Sequence, residues 1–310
     1  MTTNKAIFGR LALIGGGLIG SSVARAAKAA GAADFVAIAD TDAHARAVLR
    51  KLSIGDAVCD TPEEAVLDAD LTIVATPVGA FDAVGAAIAG AQKPGSILSD
   101  VGSVKQHVIA ALRPHIPTSV HLIPAHPVAG TEQSGPQAGF AKLFCDRWCI
   151  ITPPPDADPA AVEQLAAFWR RLGSMIEIMT AERHDRVLAM TSHLPHLIAY
   201  TIVGTANDLE NVDSTEVLKF SAGGFRDFTR IAASDPTMWR DVFLTNKSAV
   251  LELLGRFTED LIALQRAIRW DEGDTLFHHF EQTRAVRRGV LEQGQDVDAP
   301  DFGRGVAQNA

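Results

Sequence analysis

LALIGGGLIGSSVARAA, residues 11–27, is the stretch whose reading decides the fold. An apolar run ends in three glycines and opens into Ala- and Val-rich sequence at helical spacing, which reads as strand, tight turn, helix. Gly15, Gly17 and Gly20 fit G-x-G-x-x-G directly after the run. Each glycine answers a separate demand: a tight turn, close approach of backbone to a pyrophosphate, and close packing of helix on strand. Leu18 and Ile19 open the helix, whose first turn offers free N–H groups and a partial positive charge to phosphates. Asp40 follows Gly20 by about twenty residues, at the end of the second apolar run, where a carboxylate accepts from a ribose 2′-OH and repels a 2′-phosphate. The pattern points to a dinucleotide site favouring NAD over NADP. The competing reading is a glycine turn with Asp40 capping the helix after Thr41. Thr76-Pro77 ends the run LTIVATPV and is placed to line the nicotinamide side of the crevice.

Outward from this unit, apolar runs alternate with helical segments as far as residue 180. The runs are Leu11–Ile14, Phe35–Ala39, Leu71–Ala75, Ser96–Ser99, Ser119–Ile123, Trp148–Thr152 and Met175–Met179. Between them Leu18–Ala30, Ala43–Leu52, Val78–Ala91 and Pro159–Leu172 carry Ala and Leu at helical spacing. Such alternation implies an α/β fold, a doubly wound parallel sheet with helices on both faces, its later runs partly antiparallel. After Thr180 the β-branched runs vanish and helical periods cover Ala181–Glu210, Pro236–Arg269 and Thr275–Leu291. Ser234 or Asp235 caps the second of these, with Pro236 at the first helical position. An all-helical half this rich in Ala, Leu and Val needs a partner surface, which a homodimer supplies. The expected division is a nucleotide-binding domain at 1–180, a helical substrate and dimerisation domain at 181–293, and a disordered tail at 294–310. Nothing before residue 10 or after 295 reads as a further domain.

Composition excludes several classes. The 310 residues are 47% hydrophobic and 21% charged, with net charge −9 and no block of Lys or Arg, so nucleic acid is not an expected partner. No apolar run is expected to reach the roughly 20 residues of a membrane span, and MTTNKAIFGR lacks the apolar region of a signal peptide. Cys59, Cys145 and Cys149 form no CxxC pair and read as free thiols in the cytoplasm.

The chemistry concentrates in DVGSVK (Asp100–Lys105) and AHPVAGTEQSG (Ala125–Gly135). His126 precedes a proline, which forces extended backbone and puts the imidazole at the end of the run Ser119–Pro124. Ligands in open α/β sheets bind at the carboxyl ends of strands, so His126 is placed to take a proton while a nicotinamide takes a hydride. Ser103 reads as a ligand-facing hydroxyl or a helix N-cap, two compatible roles. Glu132 reads as a surface acid or as a partner orienting a cleft group. His193 and His196, three apart around Pro195, read on spacing as packed histidines, and no further ligands accompany them to make a metal site. Arg230 alone would be a surface ion pair and Trp239 a core residue.

These residues carry a resemblance. GGGLIG, Asp40, ATPV, DVGSVK, HPVAGTEQSG, SHLPH (Ser192–His196) and GGFRDFTRIAASDPTMW (Gly223–Trp239) resemble, in this order, the prephenate/arogenate (cyclohexadienyl) dehydrogenase family of tyrosine biosynthesis. The match covers about residues 10 to 290. It implies a Rossmann-type domain followed by a helical dimerisation domain, NAD as cofactor, and oxidation of a ring C4 alcohol with loss of the ring carboxylate as CO2. It implies that His126 is the catalytic histidine and that Ser103 binds the same hydroxyl or steadies that histidine. By the same resemblance Arg230 clamps a substrate carboxylate, His196 faces substrate with His193 in support, Trp239 lies near the pocket, and Gly223 with Gly224 lets backbone approach the ligand. Two other readings remain open: a β-hydroxyacid-type dehydrogenase, whose N-x-x-K lysine pattern Thr245-Asn246-Lys247 does not reproduce, and a redox sensor that holds NAD without turnover.

Overall fold

The computed structural model describes residues 5–213 and 218–292; the expected tail at 294–310 lies outside the described residues. Two compact units divide at Leu251/Glu252.

Among the described residues nine strands form two sheets. β1 (Phe8–Ile14), β2 (Ala33–Ala39), β3 (Ala57–Cys59), β4 (Leu71–Val74), β5 (Ile97–Asp100) and β6 (His121–Leu122) make a parallel sheet in the order β3-β2-β1-β4-β5-β6. This is the doubly wound order, with its topological switch between β1 and β4. Period-two packing explains why the strands read as continuous apolar runs. Leu11 and Leu13 of β1 enter one core with Val36 and Ile38 of β2, while Ala12 and Ile14 enter the other with Ala37 and Ala39. Both faces of the sheet are covered, so every central position is buried. The first core is closed by the helix Pro159–Arg171, whose Phe168 and Trp169 meet Phe8 and Phe144 edge to face.

β7 (Ala125–Pro127), β8 (Trp148–Ile151) and β9 (Met175–Ile178) form the second sheet, β7 antiparallel to β8 and β8 parallel to β9. His126 was expected in a loop at the end of a strand of the main sheet. It lies instead inside β7, opposite Ile150. The expected run Ser119–Ile123 pairs in the parallel sheet over only two residues, and the chain then crosses to the second sheet. Pro127, which has no N–H, is tolerated because β7 is an edge strand.

The helical part begins with Ala181–Leu188, a π-turn at Ala189–His193, and Leu194–Asp213. Pro195 explains the irregularity, since its ring lacks an N–H and clashes with the carbonyl four residues earlier. Gly223–Thr229 is an additional helix, and the expected Pro236–Arg269 is broken at Asn246 into Pro236–Thr245 and Lys247–Arg269. Asp235 is the cap of the former, accepting from Met238 N at 2.9 Å. The last described helix is Gly273–Glu292. One run, Ala181–Leu209, is long and apolar enough to cross a bilayer by length and composition, contrary to expectation. Val187 to Asn207 contains no Asp, Glu, Lys or Arg, a stretch hidden by its histidines and threonines. The run as a whole carries the buried His184, Asp185 and His193, so it lines a polar centre.

Candidate active site

The carboxyl ends of the central strands are tied edge to edge by backbone bonds: Gly15 N donates to Ala39 O, Ala75 N to Ile14 O and Val101 N to Val74 O. Asp40, the glycine turn, Thr76-Pro77 and the Asp100–Lys105 segment therefore share one rim. The three motif glycines occupy different environments. Gly15 has φ +104°, and a Cβ there would lie 2.6 Å from Ala75 O. A Cβ on Gly20 would come within 1.9 Å of Gly15 O, so the helix packs directly on the turn. A Cβ on Gly17 would meet nothing within 4 Å, which leaves backbone open at the N-cap of Leu18–Ala30, the helix begun by Leu18 and Ile19. The Asp40 carboxylate accepts from Gly16 N at 2.8 Å and Asp42 N at 2.9 Å. It thus braces the turn and still has lone pairs for ribose hydroxyls. Asp42, not Asp40, caps the helix Ala43–Lys51. Thr76 Oγ1 is buried without a partner. Open backbone at a helix N-terminus, a carboxylate at the end of β2 and an orphan hydroxyl on the same rim fit a dinucleotide.

Three side chains form a chain of hydrogen bonds behind His126. Its Nδ1 lies 2.8 Å from His184 Nε2, and His184 Nδ1 lies 2.8 Å from Asp185 Oδ1. All three residues are buried. Asp185 also accepts from the amides of Lys105 at 2.6 Å and Gln106 at 2.9 Å. It therefore caps the helix Lys105–Leu112 from another element. Burial works to raise the Asp185 carboxyl, but the bonds from His184 and from these amides hold it below its ordinary range. Burial pushes the His126 imidazole well below its usual value, aided by the neighbouring His184, Lys105 and His193. The proton positions follow from donor and acceptor capacity. A carboxylate only accepts, so His184 Nδ1 donates to it, neutral His184 accepts at Nε2, and His126 donates from Nδ1. The remaining nitrogen of His126, Nε2, carries a free lone pair.

A buried ion pair holds the strand beneath this chain. The Lys105 ammonium contacts the Asp100 carboxylate and donates to Ala125 O at 2.7 Å, the residue before His126. Asp100 accepts from Gly102 N at 2.7 Å and Ala125 N at 3.2 Å. Both side chains are fully buried. Burial pushes the Asp100 carboxyl up and the Lys105 ammonium down, each opposed by the charge of the other. Ser103, between these residues, is half-buried. It is not the N-cap; Val104 holds that position without a side-chain bond, and Asp185 does the capping.

The helical residues complete the constellation. His193 is fully buried, faces the backbone of Ser103, and is pushed down to about 4 by burial and by His184. Asn246 Nδ2 reaches both Asp185 O at 2.9 Å and His193 Nδ1 at 3.2 Å. Trp239 presents its edge to His193 and stacks on His196, with ring centroids 3.7 Å apart. His196 Nδ1 donates to Ser192 O at 2.8 Å, which leaves its Nε2 as an acceptor. Arg230 pairs with Glu132 at 2.8 Å, both partly exposed. Gly223 starts the helix Gly223–Thr229, where a Cβ would meet Asp227 Oδ2 at 3.9 Å, and a Cβ on Gly224 would meet nothing within 4 Å. His126 and His193 are thus linked through His184, Asp185 and Asn246, and His193 meets the backbone of Ser103. Trp239 joins His193 to His196, and the charge of Arg230, paired with Glu132, acts on His196. The dinucleotide rim adjoins this centre through Asp100–Lys105.

Sequence reading missed His184, Asp185, Asn246, Asp100 and Lys105. AERHDRVL reads as a solvated helix start, so nothing local marked His184 and Asp185. Asp100 and Lys105 stood in a motif already singled out. Two opposite charges five apart at the end of a buried run were a usable signal of an internal ion pair.

Residues 23–178 match the family model of the prephenate dehydrogenase nucleotide-binding domain, and residues 180–282 that of the prephenate dehydrogenase dimerization domain. A cyclohexadienyl dehydrogenase of Zymomonas mobilis is 44% identical over 94% of this chain and 99% of its own. A prephenate dehydrogenase of Bacillus subtilis is 34% identical over 90% of this chain and 75% of its own. The crystal structure of prephenate dehydrogenase from A. aeolicus in complex with hydroxyphenyl propionate and NAD+ superposes with a TM-score of 0.84 at 27% identity, covering 91% of this chain and 98% of that one.

Proposed function

The chain belongs to the prephenate dehydrogenase family, and we propose that it performs the NAD-dependent oxidative decarboxylation of prephenate, arogenate or both, in tyrosine biosynthesis. The observation that carries this reading is the free lone pair on His126 Nε2, aimed by His184 and Asp185 and adjoining the dinucleotide rim. Gly15, Gly17, Gly20, Leu18, Ile19, Asp40, Thr76 and Pro77 would hold NAD+, which when bound supplies the hydride acceptor. His126 Nε2 accepts the proton of the C4 hydroxyl as that carbon becomes a carbonyl. The bond to the ring carboxylate then breaks, CO2 leaves, its electron pair completes the aromatic ring, and the C4 oxygen takes a proton back from the protein to end as a phenol. Aromatisation makes the sequence irreversible, so the chain's work is to orient the ring and remove one proton.

Arg230 offers a bidentate fork to a substrate carboxylate, and its ion pair with Glu132 at 2.8 Å holds the guanidinium in place. The stacked His196 and Trp239 form a flat wall against which a ring can lie, with His193 behind it. Gly223 brings backbone close to the ligand, and Ser103 steadies the reacting hydroxyl. We assign residues 1–180 to the dinucleotide and 181–293 to substrate and dimer, a division supported by the junction of the two family models. A homodimer is supported by the name of the second model and by Ile262, Ile268, Phe277, Phe280 and Val286 on the last two described helices and Trp270 in the turn between them, all more than half exposed. Three free thiols are consistent with a cytoplasmic site of action.

The test is direct. Protein incubated with NAD+ and either prephenate or arogenate should generate NADH, read by its absorbance, and the two rates give the preference. No NADH with either substrate overturns the assignment.

A further inference from the structure

We propose that His184, anchored by Asp185, is a positioning residue of this reaction that fixes the tautomer of His126 and receives the proton His126 takes from substrate. The inference rests on the catalytic reading of His126 given above and extends it to two residues that do not touch substrate.

Two observations carry it. The first is the pair of 2.8 Å contacts, which leave one consistent set of proton positions from Asp185 to His126. An isolated neutral imidazole has two tautomers, and only the one protonated on Nδ1 presents a basic Nε2. The second is that the chain ends on an ionised carboxylate with its own reason to stay ionised. Asp185 sits at the N-terminus of the helix Lys105–Leu112 and accepts from two of its free amides, where the helix dipole favours negative charge. A surface-type His–Asp pair would not need burial; here His184 is fully buried and Asp185 nearly so.

The transfer balances without further reactants. His126 Nε2 gains the hydroxyl proton, and the proton on His126 Nδ1 passes to His184 Nε2. His126 ends neutral with its proton on Nε2, and His184 ends as an imidazolium still donating from Nδ1 to the Asp185 carboxylate. Positive charge is thus moved one ring away from the reacting carbon and placed against a fixed negative one. The charged and titratable groups around His184 are His126 on β7, Asp185 on its own helix, Lys105 and Asp100 on the neighbouring segment, and His193 across the π-turn. Of these, Asp185 and Asp100 favour the His184 cation, while Lys105 opposes it.

The measurement pairs kinetics with a tautomer readout. In His184→Gln, the amide oxygen can still accept from His126 Nδ1 but cannot take up a proton. NAD binding and KM should stay within about twofold, kcat should fall at least tenfold, and the acidic limb of the pH–kcat profile should move to lower pH because the His126 cation loses its link to Asp185. A merely structural role would lower activity without moving that limb. Nitrogen-15 imidazole spectra, with His126→Asn to assign the ring, should show His126 protonated on Nδ1 in the wild-type protein and a mixture of tautomers in His184→Phe. An unshifted limb with near-normal kcat in His184→Gln overturns the relay. So does a wild-type His126 protonated on Nε2, and this spectral result holds whether or not prephenate or arogenate is turned over. Absence of turnover in the wild-type protein, with the Nδ1 tautomer present, instead counts against the substrate assignment alone.

Discussion

At His126, burial and the neighbouring His184, Lys105 and His193 all disfavour the imidazolium, so the ring waits neutral and basic near pH 7. The acidic limb of kcat/KM should therefore fall below the ordinary imidazole value near 6.5; a limb at or above that value would show that another group titrates. Substituting the ring removes the base and leaves the glycine turn untouched, so His126→Asn should bind NAD+ normally and lose about 10²- to 10⁴-fold in kcat. Titration of NAD+ beside steady-state kinetics checks both halves. Arg230 belongs to binding rather than to proton transfer. Arg230→Gln should raise KM by about tenfold or more, in line with the roughly 1.5–3 kcal/mol of a charge-assisted bond, with a smaller change in kcat. Unchanged KM would remove Arg230 from the substrate site.

Among the elements, the helix Lys105–Leu112 connects the sheet to the site, because its capping residue is Asp185 and its first residue is Lys105. Lys105 bridges β5 and β7 by holding the Asp100 carboxylate and Ala125 O together. Removing one partner of a buried pair strands the other charge and costs about 3–5 kcal/mol. Lys105→Met should lose about that much in urea unfolding, while Asp100→Asn with Lys105→Met should lose less than the two single changes summed. Additive losses would mean that the pair is not coupled. How much of this was legible differs by element. The strands β1, β2, β4 and β8 and the helix Leu18–Ala30 could be read because burial on both faces leaves unbroken apolar runs and the glycines mark the turn. β7 could not be read as a strand, since three residues containing His and Pro carry no period, and its pairing with β8 is set by tertiary contact. Asn246 was invisible as a helix break for a similar reason: no Gly or Pro stands there, and its side chain is recruited by Asp185 O and His193. The motif residues were legible one by one, but the buried partners that orient them were not, because a charge inside a fold looks in sequence like a charge on its surface.

For the molecule as a whole, placing several neutral histidines around one buried centre couples stability to pH in a window distinct from that of the carboxylates. His193 is pushed down to about 4 in the folded protein from 6.5, and His126 and His184 shift in the same direction. Below pH 6.5 the unfolded chain takes up a proton that folded His193 refuses, so the unfolded state binds more protons and stability falls as pH is lowered. The loss from this group is complete near pH 4, where both states are protonated, and amounts to about 3 kcal/mol at about 1.36 kcal/mol per unit. The held carboxyls act in the same sense but lower down: Asp185, Asp70 and Asp56 are depressed below 3.8, so their contribution is present above that value and is lost only as pH falls through their folded values. Acid destabilisation should accordingly begin between pH 6.5 and 4, before carboxylate protonation. In His193→Asn the slope of the unfolding midpoint against pH should flatten across that interval while the steeper fall below pH 4 remains. A wild-type midpoint that stays level from pH 6.5 to 4 would mean that the buried histidines accept protons without unfolding, and that the centre they form opens to solvent in acid.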